Sequence, residues 1–194
     1  QAKAPRLPLI LIPTTAGTGS EVTPISIVTT GATTKMGVVA PILYADVAIL
    51  DATFTQGLPA HITAATGIDA MVHAIEAYTS NFKKNFYADM LAQNALKLLN
   101  HNLAKVLKNG ADLEARQNML VGSMLAGQAF ANAPVAAVHA LAYPLGGHFH
   151  LSHGHTNALV LIEVLKFNAP KAKQHYAELM QLLDPRSTGC TDGL

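Results

Sequence analysis

The residue texture changes abruptly at Pro59, and that change restricts the chain to a small set of folds. Before it, the stretches 7–12, 25–30, 36–40 and 46–50 are short, β-branched-rich runs punctuated by Gly, Pro and Thr, which is strand and turn chemistry. After it, Ala, Leu, Met and Gln dominate, and the apolar residues recur at intervals of three and four, which is helical spacing. That spacing predicts helices over about 60–80, 84–107, 112–131, 134–145, 153–167 and 169–183. Gly110 and the Gly146-Gly147 pair are expected to stop helices, and Pro170 to occupy the first turn of one. Strands followed only by helices describe an α/β segment joined to an all-α domain, divided at 1–56 and 57–194. Four short strands make a thin sheet for a whole α/β domain, and 184–194 reads as a loop without a closing element.

Composition narrows the functional classes. The 194 residues hold 13 Lys+Arg against 12 Asp+Glu, a net charge of +1 that gives no basic face for nucleic acid. Half the residues are hydrophobic and 13% charged, which excludes disorder. A chain this apolar is also expected to bury surface against a partner subunit, as in a homo-oligomer, or against the rest of a longer polypeptide. The single cysteine, Cys190, excludes an internal disulfide framework and suits a reducing, cytoplasmic setting. The opening Gln1-Ala-Lys-Ala-Pro-Arg6 reads as neither a signal nor a transit peptide. The uncharged stretch 117–138 contains Gln117, Asn118, Ser123, Gln128, Asn132 and Pro134, so it reads as two buried helices broken near Pro134, with no membrane span.

Chemistry concentrates in three places. Five of the nine histidines lie between 139 and 155: His139, His148, His150, His153 and His155. Neutral imidazole is the commonest protein ligand for a transition metal, although a histidine-rich turn after Gly146-Gly147 accounts equally well for His148, His150 and His155. His139 lies in an apolar stretch, where a lone histidine is usually a hydrogen-bonded core residue. Asp69 and His73 are four apart on a predicted helix, on one face and one turn from each other. Their apolar neighbours Ile68, Met71, Val72 and Ile75 argue against a merely solvated pair. An Asp-plus-histidines set suits Fe²⁺ or Zn²⁺ better than Ca²⁺ or Mg²⁺, which prefer oxygen. The third place is Pro13-Thr-Thr-Ala-Gly-Thr-Gly-Ser-Glu21, directly after the first strand. Its small residues expose backbone N–H groups to an anion, yet it lacks the third glycine of a dinucleotide fingerprint and the lysine of a P-loop.

Taken in order, that loop, Gly67-Ile-Asp-Ala-Met-Val-His-Ala-Ile-Glu-Ala-Tyr78, and His139-Ala-Leu-Ala-Tyr-Pro-Leu-Gly-Gly147 with His153-Gly154 resemble the iron-containing (group III) alcohol dehydrogenases. The resemblance runs over nearly all of 7–168. It implies part of a two-domain, dehydroquinate synthase-like fold: the edge of a dinucleotide-binding α/β domain, then a helical metal-binding domain incomplete at its C-terminus. It implies one divalent metal, Fe²⁺ first and Zn²⁺ second, held by Asp69, His73, His139 and His153, and NAD or NADP in the cleft between domains. It places Thr14, Thr15 and Thr18 on the cofactor, with Ser20 and Lys35, and Ile25 and Phe130 in an apolar substrate pocket. Family members are longer than this chain, and their Gly-Gly-Gly-Ser pyrophosphate segment lies upstream of its first residue. Many carry His where this sequence has Tyr143, so a proton-relay role falls on a phenol. The implied activity is hydride transfer between a small-molecule alcohol and a nicotinamide cofactor. A hydroxyacid–oxoacid transhydrogenase or 4-hydroxybutyrate dehydrogenase of the same superfamily is the alternative, and a non-catalytic metal-binding fragment the rival from another class.

Overall fold

The computed structural model describes residues 5–31 and 35–187; Cys190 and the Lys35 side chain lie outside the described residues. Four strands come first: β1 (Ile10–Leu11), β2 (Ile25–Thr29), β3 (Lys35–Val39) and β4 (Val47–Ala48). β1 pairs in parallel with β4, Ile10 opposite Val47, whereas β2 and β3 form an antiparallel hairpin with Ile25 opposite Val39. Asp46 ties down the parallel pair. Its carboxylate accepts from Leu9 N at 2.7 Å and from both Arg6 terminal nitrogens, and the Arg6 hydrogen bond holds its carboxyl down at about 2.

Five helices follow: α1 (Ala60–Thr79), α2 (Phe86–Lys108), α3 (Leu113–Asn132), α4 (Ala137–Phe149) and α5 (His153–Leu183). Polar side chains start two of them where short-range chemistry demands. Asn85 accepts from Ala88 N and Asp112 from Ala115 N, each at 2.9 Å, filling donors that the first turn leaves open. α1 is the central rod, packed by α2, α3 and α5. Its Ala70, Ala74 and Ala77 are wholly buried, and these small side chains let the surrounding helices approach closely. Leu96, Leu99, Met119 and Leu120 fill the space between α2 and α3.

The structure corrects two helix boundaries. α4 runs through Gly146-Gly147 and stops at His150, which takes a left-handed φ of 54°. α5 is one 31-residue helix with Pro170 inside it, where the sequence pattern divides it in two. Pro170 and Lys166, whose carbonyl loses its partner, both sit on the exposed side, where that carbonyl is open to solvent. Val164, Ala169, Ala172 and Tyr176 are buried on the other side, and this packing offsets the intrinsic penalty.

Among the described residues no single helix is long and apolar enough to cross a membrane; α3 and α4 satisfy that test only together, and they bend by 108° at the break between them. Large apolar side chains nevertheless stay exposed, among them Met36, Val38 and Val39 on the hairpin and Leu159, Ile162 and Phe167 on α5. This agrees with a chain too apolar for its own core to hide.

Candidate metal centre

α1 supplies the floor of the site. Asp69, His73 and Glu76 are buried on the face that meets α4 and α5. His139 arrives in the first turn of α4, and His153 is the first residue of α5. One ligand atom from each of Asp69, His73, His139 and His153 lies within 4.8 Å of all the others. Asp69 Oδ1 is 3.9 Å from His73 Nε2, 3.6 Å from His139 Nε2 and 3.5 Å from His153 Nε2. Donors set tetrahedrally about 2.1 Å from a first-row divalent ion stand about 3.4 Å apart. One carboxylate and three imidazoles at this spacing therefore fit such an ion, and the donor types fit Fe²⁺ or Zn²⁺.

A second set of contacts aims the ligands. Glu76 Oε2 lies 2.6 Å from His139 Nδ1, so that nitrogen donates and Nε2 is left to face the cluster. Glu76 Oε1 accepts from Val138 N at 2.7 Å, which fixes the start of α4. His73 is stacked between Phe130 at 4.4 Å and His139 at 4.5 Å. Tyr143, one turn beyond His139, lies nearly parallel to the His153 ring at 5.7 Å.

The cluster floors a cavity of about 280 Å³, lined also by Thr18, Ser20, Thr23, Ile25, Ile27, Phe130, Val135 and Tyr143. Ile25, Phe130, Thr18 and Ser20 thus reach the cavity, and the Thr18 and Ser20 hydroxyls lie 3.1 Å apart at its edge. Thr14 and Thr15 sit on the same loop but outside the lining. The loop comes close because Gly19, at φ 58°, presses against Gly127 of α3, where a side chain on either would strike backbone. His148, His150 and His155 are exposed and outside the cluster.

Electrostatics divide the histidines. Burial pushes His73 down to about 4. Burial also opposes the charge on His139, but the nearby Asp69 carboxylate and the hydrogen bond to Glu76 overcome it and hold this group up at about 9. For the metal-free chain the signs are opposite. The His139 contribution to stability is complete below its unfolded value of about 6.5 and is lost as pH rises through about 9. The His73 contribution is complete above about 6.5 and is lost as pH falls toward about 4, because the unfolded chain then takes up a proton that the folded one refuses. Denaturation midpoints of the metal-free chain are expected to peak near pH 6.5 and fall on both sides. A midpoint rising steadily from pH 6.5 to 9 would contradict this assignment of charge.

The profile for the C-terminal part of the Fe-containing alcohol dehydrogenase family matches residues 63–192, and the profile for iron-containing alcohol dehydrogenase matches residues 1–52. The chain belongs to the iron-containing alcohol dehydrogenase family. It is 49% identical over 182 residues to long-chain-alcohol dehydrogenase 1 of Geobacillus thermodenitrificans, covering 94% of this chain and 46% of that protein. It is 42% identical over 161 residues to 4-hydroxybutyrate dehydrogenase of Clostridium kluyveri, covering 81% of this chain and 43% of that one. A crystal structure of 1,3-propanediol oxidoreductase superposes with a TM-score of 0.92 at 38% identity, over 97% of this chain and 49% of that one. The chain thus spans about half the length of the curated relatives it matches. The strand segment followed by helices is the family's architecture over the matched half.

Two residues at the centre escape a reading of histidine spacing. Glu76 stands three residues after His73 and Asn157 four after His153, each on the same helix face as a candidate ligand. That spacing was a usable signal. Thr23 and Val135 reach the cavity through tertiary packing alone, whereas Ile27 follows Ile25 by two residues and shares its face of β2.

Proposed function

We propose that the protein carrying this chain transfers hydride reversibly between a small, uncharged alcohol and a nicotinamide cofactor. The observation that carries this reading is the convergence of one carboxylate and three imidazole nitrogens on the floor of a mainly apolar cavity. A divalent ion held by Asp69, His73, His139 and His153 supplies Lewis acidity that lowers an alcohol's pKa, and NAD or NADP supplies the hydride carrier. Residues 1–56 serve the cofactor side of the cleft and 57–194 the metal side. Thr18 and Ser20 present hydroxyl donors to the cofactor, and the resemblance adds Thr14, Thr15 and Lys35 to the cofactor contacts. Ile25, Ile27, Phe130 and Val135 hold the carbon chain and exclude water. Glu76 keeps the His139 proton on Nδ1. Burial raises the Tyr143 phenol above its usual range, so it stays protonated near neutrality and offers an O–H at the cavity, against a role as base.

The similarity to 4-hydroxybutyrate dehydrogenase supports a second reading, in which the substrate carries a carboxylate. The lining weighs against it: the described residues around the cavity include no Lys or Arg. Burying a carboxylate there without a partner costs well over about 1.4 kcal/mol, which is a factor of ten. The metal-loaded protein is expected to reduce butyraldehyde with NADH or NADPH at a kcat/KM at least about tenfold above that for succinic semialdehyde. The reverse preference would favour the hydroxyacid reading. Absence of turnover with every aldehyde, despite bound metal, would favour a non-catalytic metal-binding module.

A further inference from the structure

Asn157 is wholly buried, one turn after His153 on α5. Its Nδ2 donates to Asp69 Oδ1 at 2.6 Å and lies 3.3 Å from His139 Nε2 and 3.4 Å from His153 Nε2. One carboxamide therefore faces candidate ligand atoms from three helices. Its Oδ1 is buried with no hydrogen-bond partner among the described residues. An unpaired buried carbonyl costs about 1–3 kcal/mol, and a leucine of similar volume would fill the space without that penalty. Packing does not account for an amide here, whereas the Asp69 contact does. Asp69 Oδ1 is the atom that stands within 3.9 Å of all three imidazole Nε2 atoms, and a buried carboxylate without a fixed donor is free to turn that oxygen away.

We propose that Asn157 is a positioning residue of the metal centre, whose Nδ2–H locks the Asp69 carboxylate so that Oδ1 stays aimed at the three imidazole nitrogens. The inference rests on the metal reading above and extends it to a residue with no ligand role of its own. It also accounts for the polar residue one turn along the buried face of α5, in a stretch otherwise closed by Gly154 and Thr156.

The test is titration of the metal-free protein with Co²⁺, followed by its visible absorption. Asn157→Leu keeps the volume and removes the donor; Asn157→Ala removes both. Both variants are expected to bind Co²⁺ about 10- to 100-fold more weakly than the parent, with an altered absorption band. The metal-free thermal midpoint of Asn157→Leu is expected to change little, because removal of a buried unpaired oxygen offsets the donor that buried Asp69 loses, with His139 still beside that carboxylate. Unchanged Co²⁺ affinity and band in Asn157→Leu would overturn the proposal. So would a fall in its metal-free midpoint large enough to explain the weaker binding, since Asn157 would then be a packing residue. No Co²⁺ uptake by the parent would overturn the metal reading itself, and this inference with it.

Discussion

His139→Ala is expected to empty the metal centre and to destabilise the helical domain by about 3–5 kcal/mol. Two losses coincide in this variant. One of four ligand atoms disappears, and with three left the affinity falls by orders of magnitude. In addition, Glu76, a carboxylate that is 5% exposed, loses its imidazole partner and keeps backbone partners at Ala136 and Val138 alone among those that hold its charge at the start of α4. A buried charge stripped of its partner is more damaging than the pair was stabilising. Because Glu76 also fixes the start of α4, the helix entry that sets Tyr143 should loosen too. Metal content and a denaturant midpoint check both halves. Removing the charge as well, in His139→Ala with Glu76→Gln, should recover part of the stability and none of the metal. A His139→Ala protein with full metal content would show that the ligands are assigned wrongly.

The second large effect belongs to a glycine. A Cβ on Gly154 would lie inside the Ala65 backbone carbonyl, where α5 enters against α1. Neither side of that contact is a flexible side chain, so both helices must move apart. Overpacking costs about 1–3 kcal/mol even where side chains can give way, and here the backbone must shift. Gly154→Ala is expected to lower stability by about 3 kcal/mol or more and to weaken metal binding at the same time, because His153 is its neighbour. Denaturation of the metal-free and metal-loaded protein separates the two effects. A loss below about 1 kcal/mol would mean that α1 and α5 are not packed this closely.

How much of this was legible in the sequence depends on the range of the forces involved. α1, α2 and α3 were legible because three-and-four apolar spacing is a local signal. β2 and β3 were legible from β-branched runs, but the parallel pairing of β1 with β4 depends on Arg6 and Asp46, forty residues apart. Pro170 and Gly146-Gly147 misdirect because local propensity is weaker than burial of a long helix face. At the site, Asp69 and His73 could be paired from spacing, since both ride on α1. His139 and His153 could not be chosen from five clustered histidines on spacing alone; the resemblance singled them out, and the structure brings these two to Asp69 while His148, His150 and His155 stay exposed. Spacing could place Glu76 and Asn157 on the faces that carry His73 and His153, but their partners His139 and Asp69 lie on other helices, which no local pattern encodes.

On the proposed function, Asp69, His73, His139 and His153 hold one divalent ion. Crystals of the metal-loaded protein, measured at the iron and zinc absorption edges, test it most directly through an anomalous-scattering map. A single strong peak is expected within bonding reach of Asp69 Oδ1 and the Nε2 atoms of His73, His139 and His153. A peak at His148, His150 or His155, or none in the cavity, would contradict it.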